Sequence, residues 1–322
     1  MTGVTVITGA RNGQMHFVIF ILAGDIQLLN DAARNCIWPH KCKKQGAVAV
    51  MDNFSTSQVI PESAFASNTA RPQALILAAG RGQRLGARVD EFPKCLLQVG
   101  GRSLLEHQLA MLSALGIDDI CIVAGYHRTA VKRVCHGRAY VIDNVRWAET
   151  NSLYSFWLAR NWVTRPLVVM NCDVLADQRV LSRLLEDSSS CFAFDSGSGD
   201  DEEHMKVELS DGTLQSMSKT LHASQVHGEN VGMLHFSATD AQALFDEAES
   251  ILERGGENMW MASAVQELAR EHAVLGVDIR GLSWIEIDYQ EDLEDARRRI
   301  WPSIQPGHRP GQQAIDFSAE TA

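Results

Sequence analysis

Apolar and polar positions follow a repeating pattern along the middle of the chain. Three continuous apolar runs, Ala74–Ala79, Ile120–Ala124 and Leu167–Met170, have the length and composition of strands buried on both faces. Between the first two runs, Ser103–Glu106 (SLLE) has the spacing of a capping box and opens an amphipathic helix that ends near Gly116. This alternation of strands and helices predicts an α/β fold with a doubly wound, mostly parallel sheet.

A different pattern begins near residue 190. Short segments of alternating polarity, Met205–Leu209, Thr213–Met217 and Val231–Phe236, predict antiparallel strands that form a small substrate-side subdomain. Further elements are predicted as helices over 153–162, 239–253, 259–271 and 290–299 and a last strand over Ser283–Ile287.

The two ends of the chain lack this periodicity. Residues 1–72 are predicted to be a poorly ordered extension because they end in a run rich in Ser, Asn, Ala and Pro. Translation from Met51 is one hypothesis for this extension. The apolar segment Met15–Gly24 has about half the length of a membrane span, which leaves a strand or a weak signal peptide open. Residues 301–322 are predicted to be a disordered tail, so the folded domain is expected over 73–300.

Composition and charge exclude some classes of function. The chain has 322 residues, of which 45% are hydrophobic, and a formal net charge of −11. Such an acidic chain lacks the cationic surface that non-specific nucleic-acid binding needs, and it contains no segment long enough for a membrane span. Its 7 cysteines are odd in number and irregularly spaced, which favours reduced thiols in a cytoplasmic protein over a disulfide framework.

The first apolar run ends in a glycine-rich loop, Leu77–Gly86 (LAAGRGQRLG), and Phe92-Pro93-Lys94 follows. Glycines after a buried strand let backbone N–H groups approach phosphate oxygens, and Arg81, Arg84 and Lys94 can add charge-assisted hydrogen bonds to a triphosphate. The loop is not a Walker A motif, because no Gly-Lys-Ser/Thr closes it. Its third glycine also comes one residue late for a dinucleotide fingerprint, which disfavours an NAD-dependent oxidoreductase.

The strings LAAGRGQRL and FPKCLLQVGGRSLLEHQL resemble the signature of the sugar-nucleotidyltransferase-like superfamily. The resemblance spans residues 74–300. It implies a nucleotidyltransferase domain with a nucleotide-diphospho-sugar transferase-like variant of the Rossmann fold, in which Arg84 and Lys94 act on the reacting phosphates. The nucleotide-binding residues that it implies in the loop are Ala78, Ala79, Gly80, Arg81 and Gly82.

Two aspartates stand where predicted strands end. Asp173 follows the run that begins at Leu167, and Asp288 follows the last strand. The residues alone leave a solvated loop carboxylate open for Asp173 and a helix N-cap open for Asp288. The resemblance implies that both bind Mg²⁺, although Cys172 replaces the glycine that usually precedes the first of them. Glu286 alternates along the same strand and is considered only as a more distant contributor.

Three further stretches, Glu149–Ser155, Ser216–Lys219 and Trp284–Asp288, resemble bacterial LicC-type CTP:phosphocholine cytidylyltransferases and their phosphonate relatives. This resemblance implies CTP as the nucleotide. Asn151 also fits a helix N-cap, and Lys219 also fits an exposed strand. The resemblance implies nucleotide contacts from Asn151 and Ser152 and acceptor contacts from Lys219 and Glu229.

The expected reaction is transfer of CMP from CTP to a small phosphorylated alcohol or phosphonate, of the phosphocholine or 2-aminoethylphosphonate type, with release of pyrophosphate. Two alternatives stay open. One is a sugar-1-phosphate nucleotidyltransferase that uses another nucleoside triphosphate, and the other is a non-catalytic nucleotide-binding regulatory protein. The sequence leaves the identity of the acceptor and the oligomeric state open.

Overall fold

The computed structural model describes residues 5–9, 17–21, 71–85, 92–198 and 204–305. They belong to two compact units, Met1–Asn68 and Thr69–Ala322. In the first unit, β1 (Thr5–Gly9) pairs antiparallel with β2 (Phe17–Ile21), which lies within the apolar segment for which a strand was one alternative. Residues 22–70, which include Met51 and most of the polar run, lie outside the described residues.

The second unit contains the predicted strands and several that the sequence did not reveal. Its strands are β3 (Gln73–Ala78), β4 (Gln98–Val99), β5 (Arg102–Ser103), β6 (Ile120–Ala124), β7 (Tyr140–Asp143), β8 (Leu167–Asn171), β9 (Val174–Ala176), β10 (Cys191–Asp195), β11 (Lys206–Ser210), β12 (Thr213–Ser218), β13 (Gly228–Phe236), β14 (Leu275–Asp278) and β15 (Trp284–Glu286). Its helices are α1 (Leu104–Ala114), α2 (Arg128–Cys135), α3 (Ser152–Trp157), α4 (Gln178–Leu184), α5 (Ala238–Glu253), α6 (Ala262–Leu268), α7 (Gln290–Asp295) and α8 (Trp301–Ile304), with a π-helical turn over Ala296–Ile300 between the last two.

A mixed sheet forms the centre of this unit, with the strand order β10-β14-β12-β11-β13-β8-β3-β6-β7 among the described residues. Strands β8, β3, β6 and β7 are parallel, and β13 is antiparallel to β8. The predicted antiparallel strands β11 and β12 join the same sheet through β13. The carboxyl ends of β3 and β8 and the start of β13 therefore meet at one edge, where ligands bind in open α/β sheets.

The sheet is buried on both faces, as the doubly wound prediction requires. Ala74, Ile76 and Ala78 of β3 belong to one apolar cluster, and the alternating Leu75 and Leu77 belong to another. Helices α1, α2 and α4 contribute to the first cluster, and α3, α5 and α6 contribute to the second. Burial on both faces explains why β3 reads as a continuous apolar run.

The C-terminal helical segment continues beyond the predicted domain boundary at residue 300. The helix α8 covers the first residues of the predicted tail, and the ring of Trp301 lies 4.6 Å from that of His107. Residues 306–322 lie outside the described residues. Among the residues that are described, no helix combines the length and the apolar character that a bilayer crossing needs.

Candidate active site

The glycine-rich loop begins directly after β3. Gly82 has a φ of 74°, and a β-carbon at this position would lie 3.0 Å from Cβ of Lys94. Both the backbone conformation and the close approach of Lys94 therefore favour glycine. A β-carbon on Gly80 would meet no non-adjacent described atom within 4 Å, and Gly80 lines an open cleft. The absence of a side chain at Gly80 leaves room for a ligand beside the backbone.

Lys94 lies in the middle of the cleft and is held by two carboxylates. It opens a 3₁₀ turn directly after Pro93, and its side chain is only 8% exposed. Its Nζ lies 2.9 Å from Oδ2 of Asp173 and 2.5 Å from Oδ1 of Asp288. Burial lowers the pKa of this ammonium, but the charges of Asp173 and Asp288 raise the pKa by more, so it ends above its ordinary value. Lys94 is therefore a fixed positive charge at physiological pH.

The two aspartates reach Lys94 because β9 pairs antiparallel with β15. Asp173 lies between β8 and β9, and its carbonyl oxygen accepts a hydrogen bond from Ile287 N at 3.0 Å. Asp288 follows β15. It is not the helix cap, because Tyr289 is the N-cap residue of α7. The carboxylate of Asp292 accepts the backbone N–H groups of Asp288 and Tyr289 at 2.9 and 2.7 Å. The side chain of Asp288 is thus left to face the cleft.

Glu286 joins these aspartates in a cluster of three carboxylates. One oxygen each from Asp173, Glu286 and Asp288 lies within 4.8 Å of the others. Oδ1 of Asp173 is buried and accepts no hydrogen bond from the described residues. Burial and the charges of Asp173 and Asp288 raise the pKa of Glu286 to about 8. Crowded carboxylates with a buried oxygen that lacks a donor suit a hard divalent cation, so this donor set fits Mg²⁺.

In the metal-free protein, the contribution of Glu286 to stability is expected to fall as the pH rises from about 4.5, its ordinary pKa, to about 8. In this window Glu286 binds more protons in the folded than in the unfolded state, so its contribution to the free energy of unfolding falls with pH, whereas His235, whose pKa burial lowers, contributes the opposite slope below about 6.5. Urea unfolding in the presence of a chelator at several pH values measures this slope. Glu286→Gln should flatten it, whereas Glu271→Gln at an exposed position should not. An unchanged slope in Glu286→Gln would contradict the assignment.

The cleft has a volume of about 350 Å³ and brings together most of the residues singled out in the sequence. Arg84 lies at its mouth, with Nη1 3.8 Å from Oδ2 of Asp288. Lys219 also lines the cleft, with its Nζ 5.4 Å from the ring centre of Trp260. The residues from the sequence analysis that line the cleft are Ala79, Gly80, Gly82, Arg84, Lys94, Asn151, Ser152, Cys172, Asp173, Lys219, Glu286 and Asp288.

Asn151 and Ser152 combine a helix cap with a position in the cleft lining. Oδ1 of Asn151 accepts the backbone N–H of Ser152 at 2.8 Å and caps α3. The hydroxyl of Ser152 accepts the N–H of Met261 at 2.9 Å and so connects α3 with the start of α6. The capping alternative for Asn151 is therefore true, and the same residues still face the cleft.

Three of the singled-out residues lie outside the cleft lining. Ala78 is fully buried in β3, and the guanidinium of Arg81 lies 5.4 Å from the ring centre of Tyr126. Glu229 is buried, with its carboxylate 2.9 Å from Nδ1 of His204. Glu229 still acts on the cleft through its charge, which contributes to the raised pKa of Glu286.

Comparison with known proteins identifies the family. The sequence profile of the MobA-like NTP transferase domain matches residues 74–267, which contain the glycine-rich loop, Lys94 and Asp173. The chain belongs to the MobA-like NTP transferase family. It is therefore a nucleotidyltransferase. Glu286 and Asp288 lie beyond the matched residues of this MobA-like transferase and reach the cleft through the pairing of β15 with β9.

The relatives of this MobA-like transferase include enzymes whose names contain CTP or CMP. It is 24% identical to a CTP:phosphoglutamine cytidylyltransferase of Campylobacter jejuni over 249 residues, which are 69% of this chain and 97% of the relative. It is 35% identical to the CMP-5'-(3-aminopropyl)phosphonate synthase of Streptomyces rubellomurinus over 126 residues, which are 37% of this chain and 20% of that longer protein.

The fold of this MobA-like transferase is that of solved nucleotidyltransferases. The structure of the CTP:phosphocholine cytidylyltransferase LicC of Streptococcus pneumoniae superposes with a TM-score of 0.58 and 22% sequence identity, covering 70% of this chain and 98% of LicC. This likeness confirms the predicted nucleotide-diphospho-sugar transferase-like fold.

Proposed function

We propose that this transferase moves CMP from CTP to a small acceptor that carries a phosphate or phosphonate group, and releases pyrophosphate. The observation that carries the proposal is the position of Lys94, whose ammonium contacts Asp173 and Asp288 at the floor of a cleft that opens beside the glycine-rich loop. The names of both relatives described above, and of LicC, specify cytidylyl chemistry.

The triphosphate of CTP would bind along the glycine-rich loop. Open space beside Gly80 and the turn at Gly82 let backbone N–H groups approach phosphate oxygens. Arg84 at the mouth of the cleft would bind the outer phosphates through charge-assisted hydrogen bonds. Ala78, Ala79 and Arg81 would support the loop from its base. Asn151 and Ser152 would contact the base or ribose, since amide and hydroxyl groups both donate and accept.

Asp173, Glu286 and Asp288 would hold Mg²⁺, since each offers an oxygen within 4.8 Å of the others. A magnesium ion bound there would gather the phosphates and offset the charge that develops on the leaving pyrophosphate. Burial and the charges of Asp173 and Asp288 hold the proton on Glu286 below about pH 8, and a bound cation would favour its release.

Lys94 would stabilise the α-phosphate during the reaction. An oxygen of the acceptor phosphate or phosphonate attacks the α-phosphorus in line with the leaving group. The new P–O bond forms as the bond from the α-phosphorus to the bridging oxygen of the β-phosphate breaks. No general base is required, because the attacking oxygen is already an anion. The contribution of the protein is then alignment and preorganised charge.

Lys219 and Glu229 are proposed for the acceptor side. Lys219 lines the same cleft as the carboxylates and can pair with the phosphate or phosphonate of the acceptor. Glu229 would act through its charge on acceptors that carry an ammonium group. Acceptors of the phosphocholine and 2-aminoethylphosphonate types both fit this pair of charges.

Pyrophosphate release from CTP, UTP, GTP and dTTP, each with a panel of acceptors, tests the proposed function. The panel contains phosphocholine, 2-aminoethylphosphonate, inositol 1-phosphate and glucose 1-phosphate, and each reaction is run with Mg²⁺ and with chelator. Highest activity with CTP and a non-sugar acceptor is expected. A preference for UTP or dTTP with glucose 1-phosphate would instead indicate a sugar nucleotidyltransferase. Nucleotide binding without pyrophosphate release from any pair would indicate a regulatory protein.

A further inference from the structure

A third apolar cluster, separate from the two that cover the sheet, contains residues that are adjacent in sequence to residues that line the cleft. We call it the rear cluster. It connects the segments that carry the site residues, since Leu85 follows Arg84 and Ile287 precedes Asp288. Its buried members are Leu85, Leu97, Val99, Leu104, Leu175, Ile287, Leu293 and Ala296, and its partly buried members are Ile285, Ile300, Trp301 and Ile304.

The ring of Trp301 packs so closely against Gly100 that only glycine fits at that position. A β-carbon on Gly100 would lie 2.1 Å from Cε2 and Nε1 of the Trp301 ring. Gly100 belongs to the turn between β4 and β5, a short distance after Lys94 in the chain. The same ring lies 4.6 Å from His107, whose Nε2 is 2.8 Å from the carbonyl oxygen of Val99. The ring of Trp301 is therefore packed against the segment that leads away from Lys94.

A second contact connects the same two parts of the chain. Nε and Nη2 of Arg297 both donate to the carbonyl oxygen of Gln98, at 3.0 and 2.8 Å. Arg297 lies in the π-helical turn between α7 and α8. A π-helical turn inserts a residue into the helix and changes the direction in which the following side chains point, and such turns are frequent at functional sites. Here the following side chain is Trp301.

The two contacts matter because Lys94 and Asp288 are far apart in sequence. They are separated by 194 residues, yet their charged atoms are 2.5 Å apart. The segment after Asp288 is the helical segment that carries Arg297 and Trp301, and the segment after Lys94 is the one that carries Gln98 and Gly100. A shift of either segment would change the separation between Lys94 and Asp288. Lys94 attracts the carboxylate of Asp288, whereas the neighbouring charge of Asp173 repels it, so the packing of both segments helps to set this separation.

We propose that Trp301 is a positioning residue that fixes Asp288 relative to Lys94 by docking the C-terminal helical segment on the turn at Gly100. The proposal rests on the proposed function, because the carboxylates are taken to hold Mg²⁺. Trp301 is not among the residues that line the cleft. It acts through the rear cluster, in the way that outer residues orient metal ligands.

Adjacent glycines supply a matched pair of variants for the test. Gly100 and Gly101 have φ values of 59° and 83°, so alanine is strained by its backbone conformation at both positions. A β-carbon meets Trp301 at Gly100, whereas at Gly101 it meets no non-adjacent described atom within 4 Å. The difference between Gly100→Ala and Gly101→Ala therefore isolates the contact with Trp301. Trp301→Ala, Trp301→Phe and the double variant Gly100→Ala/Trp301→Ala complete the set.

The measurements are binding of Mn²⁺ to each full-length variant, by electron paramagnetic resonance, and the Mg²⁺ concentration that gives half-maximal pyrophosphate release. Trp301→Ala and Gly100→Ala are expected to lower the Mn²⁺ affinity and to raise the half-maximal Mg²⁺ concentration, each by about tenfold. Tenfold is the lower end of the range for residues that orient metal ligands. Gly101→Ala should match the parent protein, and Trp301→Phe should recover part of the loss. The double variant should equal Trp301→Ala alone, because the clash disappears with the ring.

The outcomes separate the positioning role from the proposed function. A purely structural role would lower the melting temperature in Trp301→Ala and Gly100→Ala but leave Mn²⁺ affinity of the folded protein unchanged, which would overturn the proposal. Equal effects of Gly100→Ala and Gly101→Ala would overturn it as well. If the parent protein releases no pyrophosphate from any nucleotide, the proposed function fails, and Mn²⁺ binding alone still decides whether Trp301 positions the carboxylates.

Discussion

Lys94→Ala is expected to reduce the rate of pyrophosphate release by about 10³-fold, the upper end for loss of one preorganised electrostatic contact. The ammonium is nearly buried and contacts both aspartates, so no other described cation occupies the same position. Arg84 is 3.8 Å from Asp288, but its guanidinium is 46% exposed and lies at the mouth of the cleft. Steady-state pyrophosphate release at saturating CTP and Mg²⁺ measures the effect.

The control for this variant is Lys132→Ala. Lys132 also pairs with a carboxylate, at 2.7 Å from Oδ1 of Asp143, but it lies on the surface, where a lost ion pair has little effect. Its rate should equal that of the parent protein. Circular dichroism at the assay temperature must show both variants folded. A folded Lys94→Ala protein that keeps a rate within about tenfold of the parent would contradict the assigned role, because that loss is below the range for such contacts.

Much of the fold could be predicted from the sequence, because several elements have simple local causes. The apolar run at β3 reflects burial on both faces of the sheet. The capping box at Ser103 is present, with the hydroxyl of Ser103 accepting the N–H of Glu106 at 3.2 Å. The glycine-rich loop could also be predicted from the sequence, because Gly82 has a positive φ and leaves space for Lys94, and both favour glycine.

Other parts depend on contacts between distant segments and leave weak local signals. Strand β7 is partly exposed, so its sequence (YVID) lacks a continuous apolar run. Glu286 was considered only as a distant contributor, although its position two residues before Asp288 places both side chains on one face of an extended segment. The helix at Trp301 was missed because the composition of the residues after it predicts a disordered tail. The helix is instead stabilised by packing on the rear cluster.

Asp173→Asn is expected to reduce turnover by about 10³-fold and to abolish the stabilisation by Mg²⁺, since one carboxylate of the cluster becomes a neutral amide of the same shape. Oδ1 of Asp173 is buried and has no hydrogen-bond donor among the described residues, so its environment suits a cation and not an amide group. Thermal unfolding with and without Mg²⁺ measures the effect, because a ligand that binds only the folded state raises the melting temperature.

The metal-free form of this variant should stay folded, which distinguishes a lost ligand from a damaged fold. It loses the ion pair between Asp173 and Lys94, but Lys94 keeps its contact with Asp288. The charge of Asp173 contributes to the raised pKa of Glu286, so its removal relieves repulsion within the cluster. Asp177→Asn is the control. Asp177 caps α4 and pairs with the exposed Arg179, and asparagine keeps the cap, so this change should alter the melting temperature little while the Mg²⁺ response persists. A full Mg²⁺ response in Asp173→Asn would place the metal elsewhere and remove the basis for the proposed chemistry.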